Sequence, residues 1–120
     1  MPMRGVRGAV CLQADDPAEM REAVSELLGA MLERNQITAE DVVSLILTAT
    51  PDLVSAFPAA GARDFGFVDV PLLCAQEINV EGALARVVRV LMHIDSDRDR
   101  SSIDHVYLRG AEVLRQDLQP

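Results

Sequence analysis

Residues 15–35 read as one capped helix with a single apolar stripe, and such a helix needs an apolar surface to lie on. Asp16 is placed to cap it, Pro17 suits the first helical position, and Glu19 completes a capping box. Met20, Val24, Leu27, Leu28, Met31 and Leu32 recur at helical spacing. Arg34 and Asn35 fit the end, so the helix is predicted over about 17–34. A chain of 120 residues makes one domain, so the partner of that stripe must come from the remaining apolar segments.

Those segments read as strands. Residues 3–12 are rich in small and β-branched residues. VVSLILT at 42–48 is nearly continuous in apolar character, as in a buried strand. A third strand lies within 68–76, with Pro71 near its start or on an edge, and a fourth spans 86–94. A fifth covers 104–108, after a charged loop at 95–102. The sequence places one helical turn at 38–41, a short helix running from the Thr50-Pro51-Asp52 break to Arg63, and another helical turn at 81–84. The expected fold is a single α/β (α+β) domain, residues 1–120: a mixed sheet of about five strands, one long helix and short ones.

Composition narrows the function. The net charge is −8, and the 11 basic residues are scattered, which argues against nucleic acid as a partner. All of them are arginine, which removes Schiff-base chemistry and lysine-dependent phosphate loops but favours planar recognition of carboxylates. Cys11 and Cys74 form no C-x-x-C pair, and His93 and His105 have no metal-binding spacing, so neither metal nor cofactor is expected. No apolar run approaches a membrane span and no signal-peptide pattern opens the chain, so a soluble cytoplasmic protein is expected. So short a chain keeps a high surface-to-volume ratio, which favours oligomerisation.

Strand alternation shows where polar residues intrude. Arg89 lies between Val87 and Leu91 on an otherwise apolar strand, and its guanidinium must find an anion or reach solvent. Arg7 shares a face with the small Gly5 and Ala9, which leaves room for a ligand or simply faces solvent. Glu77 follows an apolar stretch, as an ordinary strand-end carboxylate also would. Tyr107 points away from its neighbours Val106 and Leu108, where a structural tyrosine is the default. For Cys74 a small buried hydrophobe is the default over a reactive thiol. Pattern alone stops at a small α/β domain whose arginines face something anionic.

The same residues fall in four ordered blocks: MPMRGVRGAV at the start, LTATPDLVSAFPA at 47–59, VPLLCAQEINVEGALARVVRVL at 70–91 and HVYLRGAEVLRQDL at 105–118. Over essentially its whole length the chain resembles the AroH class of chorismate mutase. The resemblance implies a homotrimeric pseudo-barrel with active sites between subunits, and chorismate as substrate, rearranged to prephenate in aromatic amino acid biosynthesis. It implies catalytic roles for Arg7, Cys74, Glu77, Arg89 and Tyr107, and substrate contacts from Phe57, Ala59, Arg63, Leu73, Leu114 and Arg115. Three departures stand out: Ala60 where the family can carry lysine, a loop at 65–69 one residue shorter, and a short C-terminal tail.

The implied reaction is a [3,3] rearrangement that needs no acid, base, nucleophile, metal or cofactor. Arg89 would meet the ether oxygen, Arg7 and Tyr107 the enolpyruvyl carboxylate, and Glu77 the ring hydroxyl, with Cys74 near the electron-poor ring carbons. Phe57, Leu73 and Leu114 would be apolar walls, and Arg63 and Arg115 would steer a dianion. Two other classes remain open from the sequence: a non-catalytic oligomeric sensor of an anionic metabolite, and a structural assembly module with Arg7 and Arg89 in interface ion pairs.

Overall fold

The computed structural model describes residues 2–118. In chain order the elements are β1 (Met3–Cys11), α1 (Pro17–Arg34), β2 (Val42–Ala49), α2 (Pro58–Phe65), β3 (Leu72–Gln76), β4 (Val87–Asp95) and β5 (Val106–Leu108). Short 3-10 segments lie at Ala39–Asp41, Arg100–Ser102 and Ala111–Leu118. The five strands form one mixed sheet in the order β3-β2-β4-β1-β5. β4 runs antiparallel to both β1 and β2, whereas β3 and β5 add in parallel at the two edges.

One face of the sheet receives α1. Met20, Ala23, Val24, Leu27, Leu28 and Met31 are buried on the helix, against Val6 and Val10 of β1, Leu45 and Leu47 of β2, and Val88, Val90, Met92 and Ile94 of β4. Fully burying one of the larger aliphatic side chains contributes about 1.5–3 kcal/mol relative to exposure, so this layer is the main source of stability. Gly8 lets the helix come close: a Cβ there would lie 2.5 Å from the Met31 sulfur.

The helix ends are fixed locally. Asp16 accepts from the Glu19 amide at 2.9 Å. Glu19 makes only half of the expected box, because its carboxylate reaches past Asp16 to the amides of Gln13 (2.6 Å) and Ala14 (3.1 Å). At the other end Asn35 is fully buried yet satisfied. Its Nδ2 donates to the Met31 and Asp104 carbonyls, and its Oδ1 accepts from the Asp104 amide. That exchange pins the end of α1 to the approach of β5.

Two helical expectations give way to side-chain hydrogen bonding. The segment after Pro51 does not become helix until Pro58. Asp52 takes the Thr50 hydroxyl (2.6 Å) and the Arg86 amide (3.0 Å), and Asp15 takes the amides of Val54 and Ser55. Those carboxylates hold the segment in turns instead. At 81–84 the chain makes only a turn, Ala83 amide to Val80 carbonyl, with Gly82 in the left-handed region at φ 83. β3 begins at Leu72, inside the expected 68–76 and directly after Pro71. Pro71 has no N–H for the ladder, although its carbonyl accepts from Leu45 at 2.9 Å.

Among the described residues, none forms a covering layer over the centre of the opposite face of the sheet. Ile46 and Leu91 are each 37% exposed there, and Leu73 is 66% exposed.

Candidate active site

Register places the polar intrusions on that uncovered face. One row across the sheet runs Tyr107, Ala9, Arg89, Thr48, Ala75, and the next runs Arg7, Leu91, Ile46, Leu73. Arg7 is therefore the diagonal neighbour of Arg89, about 7–8 Å away in a regular antiparallel pair. Ala9, between Tyr107 and Arg89, is too small to fill the space. A cleft of about 340 Å³ results, lined by Arg7, Ala9, Thr48, Arg89, Leu91 and Tyr107. On the other side of Arg89 a second cleft, about 480 Å³, is bounded by Asp52, Glu77, Ile78, Asn79 and Val80. Arg89 borders both.

Glu77 meets Arg89 because the alternation of β3 continues past its end. The Glu77 amide donates to the Ala49 carbonyl at 2.9 Å, which keeps its side chain on the face of Leu73 and Ala75. Arg89 Nε donates to both carboxylate oxygens, at 3.1 Å to Oε1 and 3.0 Å to Oε2. The Thr48 hydroxyl donates to Oε2 at 2.6 Å. The Glu77 side chain is 16% exposed and that of Arg89 43%. No described residue takes the terminal nitrogens of Arg89, the guanidinium of Arg7 or the Tyr107 hydroxyl. The first cleft thus carries two guanidinium groups and no carboxylate, on a protein of charge −8, while Glu77 and Asp52 both lie on the side of the second.

The face is also partly apolar. Ala9, Val87 and Ala111 are buried together, with Cys11, Leu84, Tyr107 and Leu114 packed against them. Burial pushes the Cys11 thiol up, Glu112 adds to the rise, and the charges of Arg86 and Arg89 oppose it. Cys11 is thus a neutral thiol at ordinary pH.

The remaining sequence candidates fall elsewhere within one chain. Cys74 pairs with Leu47 and packs on the helix side of the sheet, away from Glu77 and Arg89. With Phe57 it lines a third cleft of about 330 Å³. Ala59 is buried in α2, while Arg63 and Phe57 are exposed, Phe57 to 76%. Leu73 shares the face of Arg89 but borders neither of the two clefts beside it. The side chain of Arg115 lies outside the described residues. Thr48 was not among the sequence candidates. Its signal was present in the alternation of VVSLILT, which sets Ser44, Ile46 and Thr48 against Leu45 and Leu47.

Among the described residues no group of three or more His, Cys, Asp or Glu side chains is placed to hold a metal ion. No described helix is long and apolar enough to cross a membrane.

A helix-backed mixed sheet whose open face carries a carboxylate-anchored guanidinium between two clefts defines a small α/β protein with a cationic site. The chain belongs to the chorismate mutase type I family, whose model matches residues 3–118. It is 47% identical over 118 residues to a chorismate mutase AroH of Thermus thermophilus, covering 98% of this chain and 97% of the relative. To a chorismate mutase AroH of Bacillus subtilis (strain 168) it is 41% identical over 119 residues, covering 98% and 94%. Its fold matches a solved chorismate mutase from Clostridium thermocellum with a TM-score of 0.89, at 40% identity, over 91% of this chain and 97% of that one.

Proposed function

We propose that the chain rearranges chorismate to prephenate at Arg89, in a cytoplasmic homotrimer whose sites are completed between subunits. The observation that carries this reading is the anchored guanidinium: Nε is engaged by Glu77, and the terminal nitrogens stay open between two clefts. The family and both named relatives favour an enzyme over a sensor of an anionic metabolite.

Chorismate is a dicarboxylate whose enolpyruvyl ether rearranges once it folds into a compact conformer. One C–O bond breaks as one C–C bond forms, and no atom leaves. Holding that conformer removes an orientational cost. Arg7 and Tyr107, on one side of Ala9 and Arg89, receive the enolpyruvyl carboxylate. The terminal nitrogens of Arg89 meet the ether oxygen, where negative charge grows as the bond breaks, and contribute most in the transition state. Glu77 Oε2 already accepts two donors and Oε1 only one, so Oε1 keeps the capacity to accept the ring hydroxyl.

Phe57 and Arg63 do not border the Arg89 clefts within one chain, and a neighbouring subunit supplies them. The exposed Ile46, Leu73 and Leu91 give that neighbour an apolar surface to cover. Leu114 and Tyr107 pack against the same small cluster, where Leu114 serves as an apolar wall. Cys74, on the helix side, takes its place in the cleft beneath Phe57.

The test is an assay on purified, chelated and dialysed protein that follows chorismate loss together with prephenate appearance. Turnover is expected. Binding of chorismate without prephenate formation would replace the reading with that of a sensor.

A further inference from the structure

We propose that Thr48 is a positioning residue that acts through Glu77 to keep the terminal nitrogens of Arg89 free for substrate. The proposal rests on the assignment of Arg89 as the group that meets the breaking ether bond.

An arginine and a carboxylate within reach of each other tend to pair as a fork, with two nitrogens donating to two oxygens. That arrangement is not the one adopted. A single nitrogen, Nε, is shared between both Glu77 oxygens at 3.1 and 3.0 Å. A bond bifurcated from one N–H restrains the carboxylate weakly, and a small rotation of Glu77 would bring an oxygen onto a terminal nitrogen. The guanidinium would then hold its carboxylate more firmly and offer less to a ligand.

Thr48 opposes that rotation. Its hydroxyl donates to Oε2 at 2.6 Å, within the short range of a charge-assisted O–H···O⁻ bond. Register makes Thr48 the direct partner of Arg89 across β2 and β4. The Glu77 amide is meanwhile bonded to the Ala49 carbonyl, one residue further along β2. The carboxylate is thus held at its backbone and at one oxygen, both times by β2. Because Glu77 is only 16% exposed, little water competes for the position that Thr48 occupies.

Thr48→Val removes the hydroxyl while keeping the shape and the β-branch, and Thr48→Ser keeps the hydroxyl. With circular dichroism confirming the fold, Thr48→Val is expected to lower kcat about tenfold while KM changes less than about threefold, the mark of an interaction realised in the transition state. Thr48→Ser is expected to stay within about twofold of the parent, and adding Thr48→Val to Glu77→Gln should cost nothing more. The Nε–H resonance of Arg89, assigned by its loss in Arg89→Lys, should shift in Thr48→Val and not in Thr48→Ser. A Thr48→Val enzyme with parental kcat, a Thr48→Ser enzyme as poor as Thr48→Val, or additive losses with Glu77→Gln would overturn the proposal. If the parent itself fails to turn over chorismate, the functional reading falls alone. The resonance comparison then decides whether Thr48 holds the pair: a shift confined to Thr48→Val supports it, and an unmoved signal overturns it.

Discussion

Asp15 holds Ser55 across forty positions of sequence, accepting its hydroxyl at 2.7 Å and its amide at 3.1 Å. The Val54 amide joins them on the same carboxylate at 3.1 Å. The turn after β1 thereby fixes the segment that presents Phe57.

These bonds favour the ionised carboxylate. The Ser55 hydroxyl is the largest cause of a pKa lowered from the ordinary 3.8; burial pushes the other way, and the Val54 and Ser55 amides add to the lowering. A carboxylate depressed in the folded state stabilises above its unfolded value, and that contribution is lost as pH falls through the folded value. Asp15→Asn should therefore melt below the parent at neutral pH. The gap in Tm should narrow once pH drops under 3.8 and close below the folded value. Thermal scans from neutral to acid pH check this, and a gap constant with pH would show that charge is not what Asp15 contributes.

Gly61 sets the distance between α2 and α1. A Cβ there would lie 2.6 Å from Val24 Cβ, 3.0 Å from its Cγ1 and 3.1 Å from the Arg21 carbonyl, none of which can swing aside. Gly61→Ala is expected to destabilise by about 1–3 kcal/mol, the usual cost of overpacking. Gly8→Ala, tighter on paper at 2.5 Å, should cost less because it meets the flexible end of Met31. Denaturant unfolding of both variants tests the order.

The α1 stripe and the central strands were legible because each side chain there has one job, and period alone reports it. Residues 51–57 were not, because Asp15 takes the Val54 and Ser55 amides of a would-be helix, and Asp52 is tied to Thr50 and to the Arg86 amide instead. One of those carboxylates lies far away in sequence. The site divides the same way. Alternation singled out Arg7, Arg89 and Tyr107, and register brings them around one cleft. Thr48 escaped notice because a hydroxyl in a strand is unremarkable until a carboxylate from β3 is seen to reach it. Cys74 shows the converse: nearness to Glu77 in sequence did not put it on the same face.

The uncovered sheet face leads to an expectation for assembly. Light scattering should report three times the chain mass of 13.1 kDa at micromolar concentration. Leu73, 66% exposed between Ile46 and the sheet edge, is a suitable probe of that contact. Leu73→Glu would bury a charge in an apolar contact, and should shift the protein towards monomer with activity falling in parallel. Full activity in a monomer would remove the neighbour from the site.

Arg89 separates catalysis from binding. Its Nε is committed to Glu77, so any ligand is met by the terminal nitrogens alone. Lysine at this position keeps a charge but has one nitrogen for both tasks: if it pairs with Glu77 it no longer reaches the ether oxygen in the same geometry. Losing a preorganised donor aimed at developing charge typically costs about 10²–10³ in kcat. Arg89→Lys is accordingly expected to retain fold and assembly while losing kcat by about that factor. Arg63 is exposed on α2 and borders neither of the Arg89 clefts, and on the proposed reading its part is to steer the dianion. Arg63→Lys should mainly raise KM, and increasing salt should shrink the difference, because steering is screened whereas the contact at Arg89 is shielded. Steady-state kinetics of both variants at two ionic strengths decide between these roles. A folded Arg89→Lys enzyme with near-parental kcat would reduce Arg89 to a carboxylate clamp.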